Sequence, residues 1–336
     1  MNHLIGMLSA VLSGVLNGSF AVPMKRNVKW EWENTWFLYA VSAMILYPGL
    51  IVLLAYPELW GIYRDTPDRI LWQTFLLGAG WGIGSLTFGL GLHLLGFSLG
   101  YTIIMGIIAV AGSLVPMCVH NPRMLGSGPG LVILGTMAAA ILGVFFCGQA
   151  GQMRQGGGSA RASSFRAGLI VCIASGILSA MLNLAFDFGA PIAQIARDHL
   201  GETASSFKVN NAIWFLALPG GFVPYLVYCG SLFVRRGTAG RYVQKQVGGH
   251  WGRSFLMGIL WFGCIMLYGA GASHMGELGT TVAWLVLMAV TVVVGNLWGI
   301  LSGEWKGANP AAIQKMTWGT LLLLGSVIIV GLSKLI

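Results

Sequence analysis

Asp187 is the one carboxylate well inside an apolar run, Asn183-Leu184-Ala185-Phe186-Asp187-Phe188-Gly189-Ala190-Pro191. An acid at the centre of a membrane helix costs about 2.5–3.5 kcal/mol. A carboxyl kept there suits proton carriage, loading on one side and releasing on the other. The competing position is an interfacial helix end, because Pro191 breaks the helix soon afterwards. A second set of residues comes from a repeat. Phe75–Gly96 and Phe255–Gly276 align without a gap and share Phe75/Phe255, Leu76/Leu256, Gly78/Gly258, Trp81/Trp261, Gly89/Gly269, Gly91/Gly271 and Gly96/Gly276. Trp81 and Trp261 therefore hold matching positions, and Phe88 and Tyr268 match again two turns further on. Paired aromatic faces with a few amides or hydroxyls and little net charge are what an uncharged, hydroxylated ligand requires. Asn17, Asn183, Gln73, Ser85, Thr87 and Asn296 supply polar groups deep in apolar segments. Ring packing beside glycines and helix-to-helix hydrogen bonds are the competing roles for these two sets.

Glu33 and Glu304 lie beside Trp32 and Trp305 at segment ends, close in sequence to Lys25, Arg26 and Lys306. Ion pairs at a membrane surface are the expected role, with gating as the alternative. His93 and His274 near the ends of the repeated segments read as capping or snorkelling side chains rather than proton relays.

The elements that must hold these residues are membrane helices. Hydrophobic residues make up 56% of the chain and charged ones 9%, against about 25% charged in soluble domains. Runs long enough to cross a bilayer, roughly 20 residues, lie near 4–24, 35–56, 70–93, 97–119, 130–149, 167–188, 209–234, 253–272, 279–302 and 313–335. The first run lacks a basic leader and a small-residue cleavage site, and is expected to remain as a span. The Gly/Ser/Arg-rich stretch 151–166 separates a first unit, 1–150, from a second, 167–336. With five spans in each unit the second must enter the membrane inverted, and Leu12–Gly18 faintly echoes Ala174–Ala180. The fold class expected is an all-α integral membrane protein, ten helices in two inverted five-helix repeats. Gly295, Gly299, Gly303 and Gly307 recur every four residues and predict a close-packing ridge on the ninth helix. With both termini outside, 13 of the 19 Lys and Arg fall on the cytoplasmic side, which sets the orientation.

Several classes are disfavoured. The net charge of +9 sits in short loops, the pattern of topology rather than of a nucleic-acid face. The five Cys form no CxxC pair, and no His/Cys spacing suits zinc. There is no HExxH, GxSxG or phosphate-binding loop, so an enzyme, a metal site and a cofactor are not expected.

Pro23-Met24-Lys25 followed by Lys29-Trp30-Glu31-Trp32-Glu33-Asn34-Thr35-Trp36, together with Gly78-Ala79-Gly80-Trp81-Gly82-Ile83-Gly84 and the Glu304-Trp305 pair, resembles the L-rhamnose–proton symporter family of the drug/metabolite transporter superfamily. The resemblance spans nearly the whole chain. It implies a bacterial inner-membrane carrier surrounded by lipid that imports a neutral deoxy-sugar with H+ by alternating access. A proton-coupled exporter of a metabolite or amphipathic compound is the alternative. The chain departs from the family where Cys264 stands at a position familiar as glutamine, His93 as arginine and Asp187 as asparagine. Oligomeric state, stoichiometry and the sugar itself are left open.

Overall fold

A computed structural model describes residues 2–95, 97–154, 162–201, 204–303 and 305–332. The helices are α1 (Asn2–Ser19), α2 (Trp32–Val41), α3 (Tyr47–Ala55), α4 (Leu59–Asp65), α5 (Asp68–Leu95), α6 (Phe97–His120), α7 (Gly128–Arg154), α8 (Ala162–Phe188), α9 (Ala190–Leu200), α10 (Ser206–Arg236), α11 (Gly248–His274), α12 (Gly279–Leu301) and α13 (Pro310–Leu332). No strand occurs among the described residues. Ten segments are long and apolar enough to cross a membrane, as anticipated. The second is α2 and α3 joined by a π-helical turn, Ser42–Leu46, just before Pro48. That proline has no N–H to give, and the wider turn absorbs the missing bond. Lipid-facing positions carry Leu, Ile, Val and Trp, including Leu53, Leu76, Ile170, Val227 and Trp318.

Neighbours in space are distant in sequence. α1 packs on α11 and α12, and α8 packs on α5 and α6. α5 also packs on α10, α6 on α12, and α7 on α13. The α5–α10 contact is backbone against backbone. A β-carbon added at Gly78 would sit 2.0 Å from the Ala217 carbonyl oxygen, and one at Gly82 2.3 Å from that of Gly221. Small residues allow this approach, where van der Waals packing rather than the hydrophobic effect holds helices together.

Two features differ from the sequence reading. α12 ends at Leu301, and Gly303 and Gly307 have φ of +74° and +77° in the following turn. The four-residue spacing therefore continues past the helix end, and no ridge forms there. Pro191 ends one helix and starts another: α8 stops at Phe188, and Pro191 sits in the first turn of α9, where its missing N–H costs nothing.

On the arginine-rich side, residues 27–34 are clasped by 236–251. Trp30 packs edge-on to Tyr242 and Trp251, and Arg241 pairs with Glu31 at 2.7 Å. Tyr242 donates to the Asn34 carbonyl oxygen at 2.9 Å, and burial pushes its phenol well above the usual range. On the opposite side α4 packs on α9, with His199 Nε2 2.7 Å from Asp65 Oδ2.

Candidate functional site

Asp187 forms part of the floor of a cavity of about 380 Å³. It is the next-to-last residue of α8, at the helix end, yet its side chain is only 8% exposed. The walls come from the C-terminal end of α6, from α9, from the start of α10 and from the turn between α11 and α12. Gln194, Asn210, Ser273 and Thr280 give the lining its uncharged polar groups. Phe186, Ile213 and alanines 190, 193 and 272 give it apolar surface. Arg197 and Glu277, opposite in charge, complete the lining. A cavity of this size with convergent amides and hydroxyls suits a small polyhydroxylated molecule.

Both oxygens of Asp187 are engaged. Thr280 Oγ1 donates to Oδ1 at 2.8 Å, and His120 Nε2 lies 2.7 Å from Oδ2. Asn183, one turn back on α8, donates to the carbonyl oxygens of Gly112 and of Thr280, the latter at 3.4 Å. Its own amide oxygen accepts the hydroxyl of Tyr268. Tyr268 is fully buried among Phe186, Trp214 and Trp284. Phe186 in turn stacks on Trp214 at 4.8 Å and 9°. Asn210 donates to the Gly269 carbonyl oxygen at 2.9 Å and to Ser273 Oγ at 2.7 Å. A hydrogen-bonded chain thus runs inward from His120 at the cavity to the buried Tyr268, through α6, α8, α12 and α11. Buried polar groups in an apolar medium require such partners.

The sequence-predicted residues fall into groups. Trp81 and Trp261 do meet: each is midway along its helix, and their rings stack at 5.0 Å and 17°, with Tyr39 edge-on to Trp261. Phe88 and Tyr268 do not meet. The third and eighth spans run in opposite directions, so seven residues beyond the tryptophans, about 10 Å, leads to opposite sides of the membrane region. Phe88 packs on Tyr101 instead. Asn17 donates to Thr291 Oγ1 at 3.0 Å, a helix-to-helix bond outside the cavity. Glu33 is fully buried, accepting from Thr238 at 3.0 Å and facing Arg236 at 3.5 Å. Lys25 donates to Ser302 at 3.2 Å. Glu304 lies outside the described residues.

His120, Thr280, Asn210 and Trp214 were missed. Adjacent amides Asn210-Asn211 inside an apolar run carried a readable signal; His120, last in its helix before Asn121-Pro122, carried none. Among the described residues, no three His, Cys, Asp or Glu cluster to hold a metal ion.

Comparison with known proteins places the chain in a family. Residues 1–335 match the family model described as L-rhamnose-proton symport protein (RhaT). An L-rhamnose-proton symporter of Cronobacter sakazakii is 27% identical over 347 residues, covering 98% of this chain and 96% of that protein. Those of Yersinia pestis (strain Pestoides F) and Yersinia pseudotuberculosis (serotype I) are each 28% identical over 350 residues, with the same coverage. The chain is a multi-pass membrane protein and belongs to the L-rhamnose-proton symport family of transporters.

Proposed function

We propose that this protein imports L-rhamnose or a related deoxy-sugar together with H+ by alternating access. The observation that carries the reading is Asp187, a buried carboxylate beside a cavity whose other polar groups are amides and hydroxyls. Sugar hydroxyls find partners in Asn210, Gln194, Ser273 and Thr280, and the methyl-bearing face of a 6-deoxy ring finds Phe186 and Ile213. The carboxylate takes the proton. Asn183 and Tyr268 hold Thr280 and Asp187 in place from below. The stacked Trp81–Trp261 pair at mid-bundle closes the path beneath the sugar, since rings at 5.0 Å leave no room for one between them. Glu33, Lys25 and Glu304 serve as a gate or as surface ion pairs at the ends of their spans.

Helix pairing supports two inverted units, 1–150 and 167–336, joined by 151–166. Exchanging each span for the one five places on turns the packing of α1 on α11 and α12 into that of α8 on α5 and α6, and both sets occur. The basic loops favour both termini outside, in a bacterial inner membrane. The cavity then opens outward, and loading a proton changes the relative stability of the two facing states.

The test is uptake of labelled L-rhamnose into proteoliposomes, with and without an inward proton gradient, competed by unlabelled sugars. Gradient-driven accumulation that Asp187→Asn abolishes is expected. Equal uptake by wild type with and without the gradient, or unimpaired accumulation by Asp187→Asn, would refute the coupling role. Silence in uptake and counterflow would remove L-rhamnose as the cargo.

A further inference from the structure

His120 is the last residue of α6, and its ring reaches α8, 2.7 Å from Asp187 Oδ2 and 5.8 Å from the Phe188 ring. Its side chain is 47% exposed where that of Asp187 is 8% exposed. The exposed imidazole thus stands between the cavity mouth and the buried acid. The other carboxylate oxygen accepts from Thr280 on α12. α6 packs on both α8 and α12, whereas α8 and α12 touch each other only lightly, so the Thr280–Asp187 bond spans the narrow seam between those two helices.

We propose that His120 and Asp187 form one proton-binding unit, whose state Thr280 reads across that seam. The proposal rests on the symport reading and adds the route by which the proton arrives and the bond through which it acts. A proton from the outer solution bonds to Nδ1 of His120. As the Nε2–H bond breaks, an O–H bond forms at Asp187 Oδ2. The ring is left neutral and Asp187 becomes a carboxylic acid, so the unit gains one proton and loses one negative charge. Thr280 then donates to a neutral acid instead of a carboxylate, and a charge-assisted hydrogen bond is roughly twice as strong as a neutral one. The seam loosens on proton loading, the direction needed for a change of facing state. The other charged or titratable groups around the pair are Arg197 from α9, Glu277 from the turn Gly276–Leu278 and, behind Asn183, Tyr268 from α11. α10 and α12 contribute only uncharged Asn210 and Thr280.

Two substitutions separate the parts. His120→Gln keeps an N–H donor for Asp187 but cannot relay a proton; Thr280→Val removes the seam bond and leaves the pair intact. His120→Asn serves if the glutamine variant is not monodisperse. With one proton per sugar and a gradient of about one pH unit, wild type accumulates L-rhamnose about ten-fold. His120→Gln is expected to fall to about one-fold, while gradient-free counterflow persists. Accumulation by His120→Gln equal to wild type overturns the proposal. A second readout needs no sugar: hydrogen–deuterium exchange of segments 112–120 and 279–285, corrected for intrinsic rates, at about pH 5 and about pH 8. Wild type is expected to lose protection at the lower pH, His120→Gln to lose that response, and Thr280→Val to show weak protection at both. Protection in wild type that does not change with pH overturns the proposal. A pH response lost in His120→Gln, combined with silence towards L-rhamnose, sustains the pair and fails only the choice of sugar.

Discussion

The interface between α5 and α10 makes a quantitative demand. A β-carbon at Gly78 would lie 2.0 Å from the Ala217 carbonyl oxygen, and ordinary contact begins at 3.4 Å. Gly78→Ala must therefore part the two backbones locally by about 1.4 Å (3.4 − 2.0). No flexible side chain can move aside, because the obstructing atom is backbone. The partner surface is equally tight: a β-carbon at Gly220 would meet the Phe75 carbonyl oxygen at 2.2 Å, and one at Gly221 the Trp81 ring at 2.7 Å. Overpacking of this kind costs about 1–3 kcal/mol, a shift of about 5–150-fold in the folding equilibrium. Gly106→Ala is the control, since nothing lies within 4 Å of its added methyl. It is expected to leave stability unchanged or to raise it by up to about 1 kcal/mol through helix propensity. Thermal unfolding of detergent-purified variants, followed by size-exclusion chromatography after heating, measures both. Gly78→Ala melting at the wild-type temperature would refute the close approach of these helices.

Other measurements test the site and its sidedness. Asn210→Ala removes a buried donor shared between Gly269 and Ser273. It is expected to raise the L-rhamnose KM by about 5–150-fold, from about 1–3 kcal/mol, with accumulation at saturating sugar retained; an unchanged KM would remove Asn210 from the sugar site. Cys118 is exposed near the end of α6, and Cys147, Cys172, Cys229 and Cys264 are buried. A membrane-impermeant maleimide is expected to label the protein once per chain on intact cells, and labelling only after permeabilisation would reverse the proposed orientation.

Long helices were legible because lipid leaves a simple demand, about 20 apolar residues with charges at the ends. That criterion is blind to α4 and α9, of seven and eleven residues, which are too short to cross a bilayer alone and pack on each other. The Trp81–Trp261 stack was legible because a repeat gives matching central residues the same surroundings. Phe88 and Tyr268 show where that reasoning breaks: displacement along two antiparallel helices separates what the centre joins. Asp187 stood out as a lone acid. Its partners did not, because His120 and Thr280 are 67 and 93 residues away and ordinary in their own segments. Only tertiary packing joins them.

The packing of α1 on α11 and α12 has a consequence for synthesis. Ser13 on α1 donates to the carbonyl oxygen of Cys264 at 2.9 Å, 251 residues later in the chain, and Glu33 waits for Thr238. When the ribosome has released the first five spans, these polar atoms have no permanent partners and lipid offers none. The early helices must be held by the insertion machinery or by transient contacts until the eighth and ninth arrive. A message truncated after residue 150 would leave a fragment with unpaired polar seams, a natural substrate for membrane proteolysis. The same fragment supplied together with 167–336 as a second polypeptide would regain its partners, so the two pieces should protect each other from degradation.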